Sequence, residues 1–341
     1  ECENDFNKKF LGIFWMKNNK KLVAVTMGDP SGISTEIIIK SWKSKKLISP
    51  FFVIHDPDYI SKIANQLGLK IRVRVISKPE EAFNLFKRCL PVIPIKIEAN
   101  TKLGKPNHKN SKYIFQSIDL AVKFAKNKKV SGIVTSPISK EVLSKFRKNF
   151  VGHTEYLSNL DKKTNFGMML LNKKLKVVPF TTHISLKNVP KYIRRKPLID
   201  KIKLLHDSLR RNFKIRSPKI AVTGLNPHSG DGGLLGSEEN RIIIPAIKIS
   251  RSKGIAVTGP LSADSAFQKK NLDLFDAFLC MYHDQALIPV KTIDFEKTIN
   301  YTLGLSYIRT SPDHGTGYDI ANKSIASEIS LVEAINYAAK I

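Results

Sequence analysis

Cysteine, acidic residues and long apolar runs are all scarce in this sequence, and each scarcity excludes something. The three cysteines, Cys2, Cys89 and Cys280, form no CxxC pair and no metal-ligand spacing. A disulfide framework is thereby excluded, and such usage fits a reducing compartment. Cys280 sits inside an apolar run and reads as a small core residue. No apolar stretch approaches the length needed to cross a bilayer, and the run at residues 10–15 is shorter than a secretory core. No membrane partner is expected.

Acidic residues number 29 against 57 basic ones, a formal net charge of +28. A nucleic-acid binder would gather that charge on one face, often with aromatics or glycines between the basic residues. Here the lysines are spread along the chain in short pairs such as Lys20-Lys21, Lys128-Lys129 and Lys269-Lys270. Isoleucine and asparagine are abundant too, so a general compositional bias explains much of the excess. No nucleic-acid partner is expected, although a basic field helps to attract an anionic substrate.

What is present is an alternation of short β-branched runs and longer amphipathic segments. Strands are expected at 22–26, 51–55, 71–76, 130–135, 177–182, 219–223, 255–258 and 277–282, with a further strand-like stretch at 298–303. Helices are expected at 32–41, 58–67, 112–126, 198–213, 237–250 and 331–341. This spacing predicts βαβ units and a largely parallel sheet. Met16 precedes a lysine cluster and the first strand, so residues 1–15 are read as an upstream or non-native extension. Residues 16–341 are read as one unit of two lobes, with no boundary legible between them.

The histidines carry the chemistry. His183, His228 and His283 each follow an expected strand, with polar or turn residues nearby. Ligands of open α/β sheets bind outside the carboxyl ends of the strands, and three imidazoles there can converge on a divalent metal with open positions for substrate oxygens. Any one of them taken alone is better read as an ordinary surface or core histidine. His55 and His206 look structural. The glycine-rich stretch at 226–236 offers backbone amides to a phosphate, but it is not a GxGxxG fingerprint. The first strand ends in a second such junction, residues 27–33, where a tight turn is at least as good a reading as ligand contact. Lys291, Asn300 and Arg309 are cationic and amide groups suited to phosphate or carboxylate, against the ordinary reading of a solvated face.

Seven motifs then stand in order: Met27-Gly28-Asp29-Pro30-Ser31-Gly32, Gly152-His153-Thr154-Glu155, Thr182-His183, Gly224-Leu225-Asn226-Pro227-His228-Ser229-Gly230, Gly259-Pro260-Leu261-Ser262-Ala263-Asp264, Met281-Tyr282-His283-Asp284-Gln285 and Arg309-Thr310-Ser311-Pro312-Asp313-His314-Gly315-Thr316. Together they closely resemble the 4-hydroxythreonine-4-phosphate dehydrogenase (PdxA) family, from about Lys21 to the C-terminus. The resemblance implies an α/β fold of the isocitrate/isopropylmalate dehydrogenase-like type, two α/β lobes with an interlobe cleft. It also implies a cytoplasmic homodimer whose active site is shared between subunits. His183, His228 and His283 match the family's ligands to one divalent ion, zinc, magnesium or cobalt. His153, Thr154, Lys291, Asn300 and Arg309 match substrate-holding positions. His314, Gly315, Thr316 and Asp319 match a cofactor loop for NAD. The sequence departs from the pattern at Ser34 and Thr35, where relatives more often show Gly and Pro, at Asp29, where Glu is usual, and at Asn322, where Gly is usual.

The implied reaction is NAD-dependent oxidation of 4-phosphooxy-L-threonine to a 3-keto acid that loses carbon dioxide, a step of pyridoxal phosphate (vitamin B6) biosynthesis. Asp264 and Asp284 are both candidates for the general base, and a structural role is equally credible for either. Related dehydrogenases acting on phosphorylated threonate or erythronate, or on an aromatic cis-dihydrodiol, are the near alternatives. A basic nucleic-acid-binding protein without catalysis is the distant one.

Overall fold

The computed structural model describes residues 21–341, so the extension expected at 1–15 lies outside the described residues. In chain order the principal elements are β1 (Val23–Thr26), α1 (Ser34–Lys43), β2 (Phe51–His55), α2 (Pro57–Gln66), β3 (Val73–Val75), β4 (Leu90–Pro94), α3 (Ser111–Lys126), β5 (Gly132–Val134), α4 (His153–Leu160), β6 (Gly167–Leu171), β7 (Lys176–Pro179), α5 (Arg195–Arg211), β8 (Ile220–Thr223), α6 (Ile244–Ser252), β9 (Val257–Leu261), β10 (Ala277–Cys280), α7 (His283–Ile293), β11 (Ile299–Leu303), β12 (Ile308–Pro312) and α8 (Ile329–Lys340). The fold is α/β, as expected. The chain forms two compact units. The first holds the described residues up to Phe150 with Tyr307–Thr310 and His314–Lys340, and the second holds Val151–Ser306 with Ser311–Asp313.

In the first unit the strands run in the order β3-β4-β2-β1-β5-β12 and every pair is parallel. β1 and β2 are buried at every position, which is why they read as continuous apolar runs rather than alternating ones. α3 buries Ile114, Phe115, Ile118, Ala121, Val122 and Ala125, the stripe its helical period dictates. α2 starts where its local chemistry says it should. Asp56 accepts hydrogen bonds from the amides of Asp58 and Tyr59, and Pro57 occupies the first helical position.

In the second unit the order is β11-β6-β7-β10-β8-β9. The sheet is largely parallel, as expected, and the departure from that pattern lies here, where β11–β6 and β6–β7 are antiparallel. β6 and β7 form a hairpin closed by Asn172, whose side-chain oxygen accepts from the amides of Lys174 and Leu175 and so makes the turn. β6 escaped detection because Met and Leu dominate it. β7, β10 and β8 are parallel neighbours. Leu170, Val177, Ala221, Phe278, Cys280 and Val290 form the core beneath them. Cys280 is fully buried, as expected of a small apolar residue.

Candidate active site

The parallel run β7-β10-β8 fixes where the three histidines go. His183 follows β7 by four residues, His283 opens the helix immediately beyond β10, and His228 follows β8 by five. All three therefore leave the carboxyl edge of one set of strands, where α/β sheets place their ligands. The rings of His183 and His283 are neighbours, with centroids 6.1 Å apart and planes inclined by 41°. They line a cavity of about 340 Å³ with Thr181, Ser185, Tyr282 and Asp284. The Nδ1 of His283 lies 2.6 Å from the Asp284 carboxylate. A carboxylate on one ring nitrogen fixes the ring and leaves the other nitrogen for a ligand.

His228 is held differently. Its loop, from His228 to Gly232, has every φ positive, with His228, Ser229 and Asp231 in the left-handed region alongside Gly230 and Gly232. Non-glycine residues pay about 1–2 kcal/mol each to stand there, so something must hold the loop. Glu239 does so. Its buried carboxylate accepts from the amides of Leu225 (2.7 Å) and Asn226 (2.8 Å) and from the side-chain amide of Asn226 (2.9 Å). Burial pushes the Glu239 carboxyl up, but the bonds from Asn226 and Leu225 outweigh it and hold it below the ordinary range. The first of the amides that the sequence offered to a phosphate, that of Asn226, is thus taken by a carboxylate of the chain itself.

Gln285 ties the neighbouring loops together. Its side chain accepts from the Thr223 hydroxyl and the Met281 amide, both at 2.7 Å, and donates to the Gly224 carbonyl. The sequence reading passed over both Glu239 and Gln285. Gln285 was within sight as the last residue of the Tyr-His-Asp-Gln motif. Glu239 gave no signal, because its partners are thirteen and fourteen residues away.

Both candidate bases stand beside candidate ligands. Asp284 touches His283, and Asp264 is held ionised below the usual carboxylate range, first by the Ser262 hydroxyl at 2.6 Å, with the charge of His228 adding to the effect. Among the described residues, no three histidine, cysteine or acidic side chains gather as a metal-holding group. The donor chemistry nonetheless fits a divalent ion. The rings of His183 and His283 stand together, and His228 leaves the neighbouring strand β8 at the same edge.

The substrate candidates occupy distinct places. His153 and Thr154 open α4 behind Gly152. Lys291 ends α7 with its ammonium 2.8 Å from Asp313. Asn300 lies on β11 opposite Leu170, with its Oδ1 buried and lacking a hydrogen-bond partner among the described residues. In the first unit, Arg309 is buried and directs two nitrogens at the Thr135 hydroxyl. It is therefore no solvated surface cation.

The loop of His314, Gly315, Thr316 and Asp319 lies against the turn that follows β1. Asp29 N donates to Pro137 O, Ser31 N to the Asp29 side chain, Gly32 N to Asp29 O and Ile33 N to Thr316 O. These four amides are occupied within the chain, which fits the tight-turn reading of residues 27–33. Tyr318 donates to the buried Asp29 carboxylate at 2.6 Å. Burial nevertheless leaves that carboxyl above its ordinary value. His314 is half-buried with Nδ1 3.0 Å from Gly315 O, and Asp319 is exposed.

Comparison with known proteins adds three findings. The family model described as pyridoxal phosphate biosynthetic protein PdxA matches residues 46–338. The 4-hydroxythreonine-4-phosphate dehydrogenase of Methylorubrum populi is 37% identical over 335 residues, 96% of each chain, and that of Caulobacter vibrioides is 39% identical over 325 residues, 94% of this chain and 97% of its own. The crystal structure of the enzyme of that name from Klebsiella pneumoniae superposes with a TM-score of 0.86 at 36% identity, covering 93% of this chain and 98% of the other.

Proposed function

This chain belongs to the family of pyridoxal phosphate biosynthetic protein PdxA, and from that premise we propose that it oxidises 4-phosphooxy-L-threonine with NAD. The product is a 3-keto acid that decarboxylates to 3-amino-2-oxopropyl phosphate. The observation that carries this reading is the departure of His183, His228 and His283 from the carboxyl edge of three adjacent parallel strands.

Lys291 and Arg309 hold the anionic groups of the substrate, and charged pairing of this kind gives both grip and orientation. Asn300 adds a hydrogen bond from its half-buried side chain, and His153 and Thr154 complete the substrate contacts. His183, His228 and His283 would hold one divalent ion, which when bound lowers the pKa of a coordinated alcohol. Asp284 keeps the His283 ring oriented. Asp264, ionised by its bond from Ser262, accepts the hydroxyl proton. The hydride leaves the same carbon for NAD, which the segment containing His314, Gly315, Thr316 and Asp319 holds. Proximity of the two reactants supplies much of the remaining rate.

The working form is a cytoplasmic homodimer with a shared active site. What supports this is the resemblance of the seven motifs to a family whose working form is a homodimer. No described helix is long and apolar enough to cross a membrane. The test is product analysis by mass spectrometry after incubation with NAD and either 4-phosphooxy-L-threonine or 4-phosphothreonate. Carbon dioxide and 3-amino-2-oxopropyl phosphate from the first substrate support the proposal. Turnover of the phosphothreonate alone would place the chain with a sugar-acid substrate instead.

A further inference from the structure

The π-helical turn Glu239–Ile243 presents Glu239 to the His228 loop from the following helix. The fit is close on every side. A Cβ on Gly230 would lie 2.8 Å from Glu239 Oε2, one on Gly224 would lie 3.1 Å from Oε1, and one on Gly236 would collide with the side-chain Nδ2 of Asn226. Glu238 also accepts from the Asn226 side chain, at 2.9 Å. Three donors, two of them backbone amides, converge on one carboxylate at the start of a loop whose next residues run through left-handed backbone. A carboxylate that accepts several N–H groups is a strong and directional anchor.

We infer that Glu239 is a positioning residue for His228, acting through the loop that it clamps rather than by contact with substrate or cofactor. The inference rests on the reading of His228 as a metal ligand. The clamp sets the conformational cost of presenting the His228 ring, and loosening it lowers metal affinity without removing any ligand. A conformer that is populated only part of the time lowers apparent affinity by that fraction. Glu239→Gln keeps the shape but replaces one acceptor oxygen with a donor that faces the Asn226 amide. Gly230→Ala keeps the charge but crowds the carboxylate and strains a residue at φ +83°.

The experiment compares the full-length wild type, Glu239→Gln, Gly230→Ala, His228→Ala and the double variant Glu239→Gln/His228→Ala. The readouts are zinc affinity by calorimetry and backbone deuterium exchange by mass spectrometry. Glu239→Gln is expected to weaken zinc binding about 10-fold or more and to raise exchange across 225–233, with the β10 core unchanged. In the His228→Ala background the same substitution is expected to change zinc affinity no further. Gly230→Ala is expected to give the same exchange pattern, which keeps the test open if Glu239→Gln does not fold. Unchanged exchange at 225–233, or an equal zinc penalty with and without His228, overturns the inference. If wild type and His228→Ala bind zinc alike, the metal reading fails instead, and the exchange data still decide on Glu239.

Discussion

The ammonium of Lys291 lies 2.8 Å from the carboxylate of Asp313, both side chains partly open to solvent. An anion that arrives at Lys291 must share or displace that carboxylate. Lys291→Met is therefore expected to raise KM for the phosphorylated substrate by roughly 10- to 100-fold, the value of a charged hydrogen bond of about 1.5–3 kcal/mol. Asp313→Asn is expected to lower KM by removing the competitor. Steady-state kinetics on both variants checks this, and a KM unmoved by Lys291→Met would remove Lys291 from the substrate site.

A second prediction concerns the turn after β1. A methyl group on Gly32 would lie 2.4 Å from the Thr316 carbonyl, a backbone atom that cannot yield without moving the loop. Gly32→Ala is expected to cost about 1–3 kcal/mol of stability, the usual penalty of overpacking, and to raise KM for NAD more than for the substrate. Urea denaturation and separate titrations of the two reactants measure these effects. Full stability in the variant would show that the loop is not pressed against the turn.

These two sites show how unevenly the sequence disclosed the molecule. β2 stands where its β-branched and aromatic run put it, and α2 begins where Asp56 and Pro57 signal a start. β4, with two prolines, and β6, built of Met and Leu, lacked that signature and were missed. α7 was hidden by its polar opening and by Pro289 in its interior. The histidines were legible because each follows a strand, and the order β7-β10-β8 then places them on one edge. Long-range partners were not legible. Nothing local predicts that Arg309 meets Thr135 or that Asp29 accepts from Tyr318, because those pairings are made by the fold.

The pH dependence of stability follows from His55. The Asp56 amide donates to its Nδ1, and its Nε2 faces the Thr35 hydroxyl at 3.0 Å, so the neutral ring fits the site. Burial lowers its pKa to about 4, against a small opposing effect of the Asp56 charge. Between pH about 6.5 and about 4 the unfolded chain binds a proton that the folded chain refuses. Stability contributed by neutral His55 is therefore complete above that window and falls as the pH drops through it, by up to about 3 kcal/mol at 1.36 kcal/mol per unit. Denaturation midpoints for wild type and His55→Gln over this range are expected to converge as the pH falls. Parallel curves would mean that His55 takes up its proton equally in both states.

The most direct measurement is NAD reduction, followed by nicotinamide absorbance, with purified protein and 4-phosphooxy-L-threonine before and after chelation. Turnover that disappears with chelator, returns with a divalent ion and is absent in His183→Ala is the predicted result, as the proposed role of the three histidines in holding a divalent ion requires. Turnover that survives exhaustive chelation would contradict the metal site. No turnover in the metal-loaded protein would contradict the dehydrogenase reading itself.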